Sequence, residues 1–202
     1  MDDNQLYREL GTLTRSKDLW RENISHVGAL LEGLSPKITA KALWLLGEMG
    51  LKYPNEVAPY VSKIATYLDS PDDLLRERAL NALGRIGRAK FETIKPHWEK
   101  MLSLATDSNP RVRLAFIWAS ENIATHTPEV YEQHMPLYAE LLHDHDDRVR
   151  MEAPEMFRVM GKRLPKAVIP YTDTLQQLAN NDPDPVVRIH SAGALKVLHD
   201  GN

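Results

Sequence analysis

The chain has 202 residues, 43% of them hydrophobic, with a formal net charge of -3 and no cysteine. That balance argues against wholesale binding to nucleic acid or an anionic membrane surface, which favour excess Lys and Arg, and it excludes disulfides and cysteine nucleophiles. No stretch approaches the ~20 apolar residues of a membrane span, and the acidic start MDDNQLYREL lacks a signal-peptide core, so cytoplasmic residence is the default expectation.

Residues 4–14 place Leu6, Leu10 and Leu13 on one side of a helix. Shifted by 36 residues they fall on Ala42, Leu46 and Met49, so this helix reads as a degenerate repeat whose job is capping. Residues 17–34 then supply the first helix of a helical pair. Its second helix begins a pattern that returns along the chain: KITAKALWLLGEMG from Lys37, LLRERALNALGRIG from Leu74, RVRLAFIWASENIA from Arg111, RVRMEAPEMFRVMG from Arg148 and VVRIHSAGALKVLH from Val186. The starts are 37, 37, 37 and 38 residues apart, the mark of a repeat solenoid. Small and apolar residues recur at helical spacing inside each segment, as at Leu75, Ala79, Ala82, Leu83 and Ile86, or at Val149, Ala153, Phe157 and Met160, so each helix buries one stripe.

Start signals precede these helices. Ser35-Pro36, Ser70-Pro71, Asn109-Pro110 and Asp184-Pro185 combine an N-cap acceptor with proline at the first helical position, and the fourth repeat uses Asp146 and Asp147. The first helices lie between, with apolar spacing at Val57, Val61, Ile64 and Leu68, at Ile94, Trp98, Met101 and Leu102, and at Ile169, Leu175 and Leu178. Proline recurs near their starts at Pro59, Pro96 and Pro170; in the fourth repeat Gln133 takes that place and Pro136 follows, so that helix begins or bends differently. Pro154 falls inside the fourth second helix, where it removes a bond to the Arg150 carbonyl; a kink, or a regular part starting near Ala153, is expected. The chain reaches His199-Asp200-Gly201-Asn202 directly after the fifth second helix, which leaves that repeat one side for water or a partner.

Pro59, Pro96 and Pro170, the pairs Val112-Arg113, Val149-Arg150 and Val187-Arg188 with Leu75-Arg76 standing in, and Gly84 and Gly87 together resemble the HEAT repeat family. The resemblance covers about Lys17 to Leu198. It implies an all-α, right-handed α-solenoid of five helical pairs behind an N-terminal capping helix: a single domain 1–202, with the cap at 1–16 and repeats at 17–52, 53–90, 91–127, 128–164 and 165–202. It also implies that the aligned arginines are structural, pairing with turn aspartates Asp107, Asp144 and Asp182 of adjacent repeats. The run His143-Asp144-His145-Asp146-Asp147 has metal-ligand residue types, but it sits at a turn where Asp is already wanted for capping. No metal or other cofactor is called for.

Opposite the buried stripe, the family resemblance places a concave, ligand-binding side. Here it carries Trp44, Leu114, Trp118, Met151, Glu155, Arg158 and Ile189, with Lys196. Leu114, Met151 and Ile189 share one repeat position, an apolar ridge on a face otherwise expected to be polar; packing between neighbouring repeats is the competing explanation. Trp44 and Trp118 share another position two repeats apart, roughly 20 Å at about 10 Å per helix layer, too far to enclose one cation. An extended segment fits better, since five layers span roughly 40 Å, or about twelve residues at ~3.3 Å each. The expected function is therefore a scaffold or adaptor that binds a partner protein or peptide. The basic run Arg76, Arg78, Arg85, Arg88 and Lys90 reads as a solvated face or as a dock for an acidic peptide.

Among enzymes on related repeats, deoxyhypusine hydroxylases use His-Glu dipeptides, and this sequence has none. HEAT-like alkylpurine DNA glycosylases combine tryptophans, an acid and basic residues. Trp44, Trp118, Glu155, Arg158 and Lys162 supply those types against an unfavourable net charge, which makes a glycosylase or other nucleic-acid-binding repeat protein the alternative. No serine triad, phosphate loop or dinucleotide fingerprint is present. Oligomeric state is not specified by any of these features.

Overall fold

The computed structural model describes residues 2–32 and 35–199; Leu34, Asp200, Gly201 and Asn202, which figure in the sequence reading, lie outside them. Among the described residues there are helices and turns and no strand. The helices are α1 (Asp3–Arg15), α2 (Trp20–Ala29), α3 (Pro36–Lys52), α4 (Pro54–Val57), α5 (Val61–Thr66), α6 (Asp73–Ala89), α7 (Phe91–Ile94), α8 (Trp98–Ser103), α9 (Pro110–Ala124), α10 (Met135–Leu141), α11 (Asp147–Arg163), α12 (Thr172–Asn181) and α13 (Pro185–His199). None is long and apolar enough to cross a membrane. The chain divides into two compact units, Met1–Leu104 and Ala105–Asn202.

The five second helices α3, α6, α9, α11 and α13 begin at residues 36, 73, 110, 147 and 185, each one residue before the repeated segment read from the sequence. Their caps follow one design and keep the register of the helix starts. Asn109 accepts from the Arg111 N–H at 2.9 Å, Asp146 from Arg148 at 3.0 Å and Asp184 from Val186 at 2.7 Å. In α6 the capping residue is Asp72, which accepts from Leu74 at 2.9 Å, and not Ser70. Ser70-Pro71 occupies the turn two residues earlier, because the equivalent of Asn109 is 37 residues back, at Asp72. Ser35 stands at the cap of α3 without a side-chain hydrogen bond.

A second device recurs in each turn. The side chains of Ser70, Asp107, Asp144 and Asp182 accept from the backbone N–H two residues on, at 2.8–3.2 Å. Their carbonyls accept from the guanidinium six residues on, Arg76, Arg113, Arg150 and Arg188, at 2.6–3.0 Å. Each arginine thus ties a second helix to the turn that launches it. Within the second unit it also reaches the next turn: Arg113 holds Asp144 through two bonds of 2.6 Å, and Arg150 lies 3.5 Å from Asp182. Burial would raise the Asp144 carboxyl, but Arg113 and the Asp146 N–H overcome it and hold Asp144 below the usual carboxylate range. The arginine row is structural, as the resemblance implies.

The prolines of the second and third repeats lie in the middle of the first helices, not near their starts. In the second and third repeats one α-turn, α4 or α7, precedes a 3₁₀ turn at Ala58–Tyr60 or Lys95–His97, each centred on the proline, before α5 or α8 continues. Proline has no N–H and clashes with the carbonyl four residues back, so an α-helix cannot run through unbent. The fifth repeat places Pro170 in the turn Ile169–Tyr171, ahead of α12. The fourth opens on a seven-residue 3₁₀ stretch, Pro128–His134, with Pro136 in the first turn of α10. In the first repeat, where Glu22 stands at this position, α2 is unbroken. Pro154 behaves otherwise: α11 is helical from Asp147, so its regular part does not wait for Ala153.

In the first unit α1 buries Leu6, Leu10 and Leu13 and packs on α3, which packs on α6. The last contact is close: a Cβ on Gly47 would stand 2.7 Å from the Ala82 Cα. The second unit centres on fully buried aromatics. Phe116 stacks on Tyr138 with centroids 5.2 Å apart, Tyr131 meets Tyr138 edge-on, and the Tyr138 hydroxyl donates to Ser120 at 2.6 Å.

Candidate functional site

A second helix in the middle of a stack is covered by its first-helix partner and by the second helices beside it. This leaves one narrow strip for solvent. The strip is narrower than a single buried stripe implies: Asn81 and Gly84, placed opposite that stripe by helical rotation, are buried. The repeat positions concerned are those of Ala40, Glu77, Leu114, Met151 and Ile189, of Lys41, Arg78, Ala115, Glu152 and His190, and of Trp44, Asn81, Trp118, Glu155 and Gly193, of which Ala40, Asn81 and Ala115 are buried.

In the second unit the strip is aromatic and acidic. Trp118, on α9, is 39% exposed, and Glu152 stands on the facing helix α11. Ile189, on α13, is 66% exposed; Leu114 and Met151, at the same repeat position, are half-buried. Glu155 pairs with Arg158 one turn later, and His190 Nδ1 lies 3.7 Å from Glu155 and 2.8 Å from the Met151 carbonyl. Behind Trp118 by one turn lies Glu121, whose Oε1 is buried and without a hydrogen-bond partner among the described residues. Burial first, then Glu152 and Glu155, push its carboxyl up to about 9 against the opposing pull of Arg158. Glu152 is likewise raised, chiefly by burial.

Glu121 and Glu152 were missed by the sequence reading. The signal was present: Glu121 shares a repeat position with Arg158 and Lys196, both assigned to this face. The structure brings Leu114, Trp118, Met151, Glu155, Arg158 and Ile189 together within one unit. It places Trp44 in the other.

Trp44, half-buried on α3, lines a cavity of about 400 Å³ with Tyr7, Lys37, Ala40, Lys41, Leu74 and Arg78. The Lys41 ammonium sits 4.5 Å from the Trp44 ring centre, and that of Lys37 sits 4.4 Å from Tyr7.

The acids of the His143–Asp147 run are committed elsewhere. Asp144 binds Arg113, Asp146 caps α11 and binds Arg148, and Asp147 binds Arg150. The second unit's strip thus presents an exposed indole and an isoleucine beside the carboxyl groups of Glu152 and Glu155.

Solved structures share this fold at low identity. A designed armadillo repeat protein in complex with the peptide (KR)4 superposes with a TM-score of 0.71 at 18% identity, covering 95% of this chain and 91% of that one. An engineered protein covers 100% of both chains at 0.69 and 23%. A computationally designed armadillo repeat protein for modular peptide recognition gives 0.60 at 16%, over 96% and 98%. These establish an all-α repeat-solenoid fold. No curated protein matches the chain. The family model described as sister chromatid cohesion protein PDS5 matches residues 34–200, a span that takes in every second helix and every arginine-to-turn tie. On that match, and on the 37-residue register that its helices keep, the chain belongs to the PDS5 family of HEAT-like repeat proteins.

Proposed function

We propose that this protein is an interaction scaffold whose second unit binds an extended segment of a partner protein along the strip formed by α9, α11 and α13. The observation that carries the reading is the exposed pair Trp118 and Ile189, large apolar side chains that share their repeat positions with Glu155 and with the half-buried Leu114 and Met151. An exposed indole is the type of side chain that dominates binding energy at protein interfaces, and neighbouring acidic and basic groups give such a surface direction and selectivity. Structural neighbours that recognise peptides support the reading by analogy of fold.

The test begins by selecting twelve-residue peptides from a display library on the full chain. Trp118→Ala and Ile189→Glu are then compared with wild type. Affinity is expected to fall at least tenfold for each, with thermal midpoints within about 2 °C of wild type, since both side chains are substantially exposed. Binding that survives both changes would overturn the proposal.

A further inference from the structure

The basic run of α6 does not act as one patch. Arg85 is spent on Glu48 at 2.6 Å, Lys90 on Asn55 at 2.8 Å, and Arg76 on the carbonyls of Ser70 and Pro71. Arg78 alone of these turns into the cavity that Trp44 lines, where it meets Lys37 and Lys41 from α3. Three cations therefore share a hollow of about 400 Å³ to which no carboxylate contributes lining, in a chain whose formal charge is -3. The nearest compensation lies at the margins: Arg78 is 3.5 Å from Glu77, and Lys37 is 3.5 Å from the Asn4 amide oxygen. Lys41 makes no ion pair among the described residues, and its ammonium rests on the Trp44 face. Burial, then the repulsion of Arg78, push the Lys41 pKa down.

From this geometry we infer that the hollow between α1, α3 and α6 is a binding site for the anionic side chain, carboxylate or phosphate, of an acidic partner peptide. Lys41 and Arg78 clamp the anion from two helices, Lys37 guards the mouth, and Tyr7 and Trp44 flank the hollow with aromatic surface for the adjoining chain. The hollow's size falls within the range of ligand sites, and a guanidinium supplies the bidentate geometry that both anions accept. The site lies wholly in the first unit, so it stands or falls independently of the Trp118 strip, although it rests on the reading of this protein as a binding scaffold.

Four fluorescein-labelled probes test it on the full chain: an octapeptide rich in Glu, the same peptide carrying one phosphoserine, a Lys octapeptide and a single-stranded oligonucleotide. The acidic peptides should bind and the Lys peptide should not, with affinity falling as salt is raised. Lys41→Glu and Arg78→Glu should each weaken binding at least tenfold, Lys37→Glu by a smaller factor, with the selected Trp118-dependent peptides bound as before. Tighter binding of the phosphoserine probe assigns the site to phosphate, and equal binding assigns it to carboxylate. Acidic peptides that fail to bind, or that bind all three variants as well as wild type, would overturn the inference. So would an oligonucleotide that binds more tightly through the same residues.

Discussion

Glu121 is the residue at which this molecule gives up stability for surface chemistry. A carboxyl in water titrates near 4.3, whereas burial and two neighbouring carboxylates carry Glu121 up to about 9. The folded state therefore holds this proton more tightly than the unfolded chain does. The stability linked to the group is fully present below about pH 4 and is lost progressively as pH rises toward 9. Glu121→Gln keeps the shape and removes the charge, so thermal midpoints of variant and wild type should coincide near pH 4. At pH 9 the variant should melt roughly 5 °C higher, on the usual scaling of a few degrees per kcal/mol. A difference that does not change with pH would mean that the carboxyl is not held in its neutral form. The groups that set the effect are Glu152, Glu155 and Arg158 on α11, with His190 on α13 acting on Glu152.

Among the elements, α3 and α6 show what the repeat demands of sequence. The two helices approach so closely at Gly47 that an added Cβ would meet the backbone of Ala82 at 2.7 Å, and backbone cannot swing aside as a side chain can. Gly47→Ala should therefore destabilise the protein by about 2 kcal/mol, the usual cost of overpacking, although alanine is the better helix former. Chemical denaturation measures this directly; a stabilised variant would show that the helices separate freely. The first helices illustrate the opposite economy, since proline interrupts those of the second and third repeats and their hold on the fold comes from buried side chains more than from backbone bonds. The second helices were legible in the sequence to within one residue, because proline, cap and apolar stripe recur in register. The place of the prolines was less legible: Pro59 and Pro96 look like starting residues until the preceding turns at Pro54 and Phe91 are seen to be helical. The Ser70 cap was misplaced because serine and aspartate serve equally well as acceptors in such turns.

For the whole molecule, net charge proved a poor guide to local chemistry. One repeat position carries Lys41 and Arg78 in the first unit and Glu152 in the second, so opposite fields average to a small negative total. Sequence periodicity shows which residues share a repeat position, Trp44 with Trp118 and Leu114 with Met151 and Ile189, since that follows from register. It did not identify the cation hollow or the carboxylates behind Trp118, because these depend on which partners neutralise each charge: Arg85 is cancelled by Glu48, whereas Lys41 makes no ion pair among the described residues.

The claim on which the account turns is that Trp118 is a contact residue for a partner segment. It is tested most directly by the indole N–H resonances of Trp20, Trp44, Trp98 and Trp118 in the isotopically labelled full chain, each assigned by replacement with Phe. On titration with a peptide selected by the protein, the Trp118 signal should move first and furthest, while those of the buried Trp20 and Trp98 stay in place. A Trp118 signal unmoved at saturation, with the peptide demonstrably bound, would contradict the account.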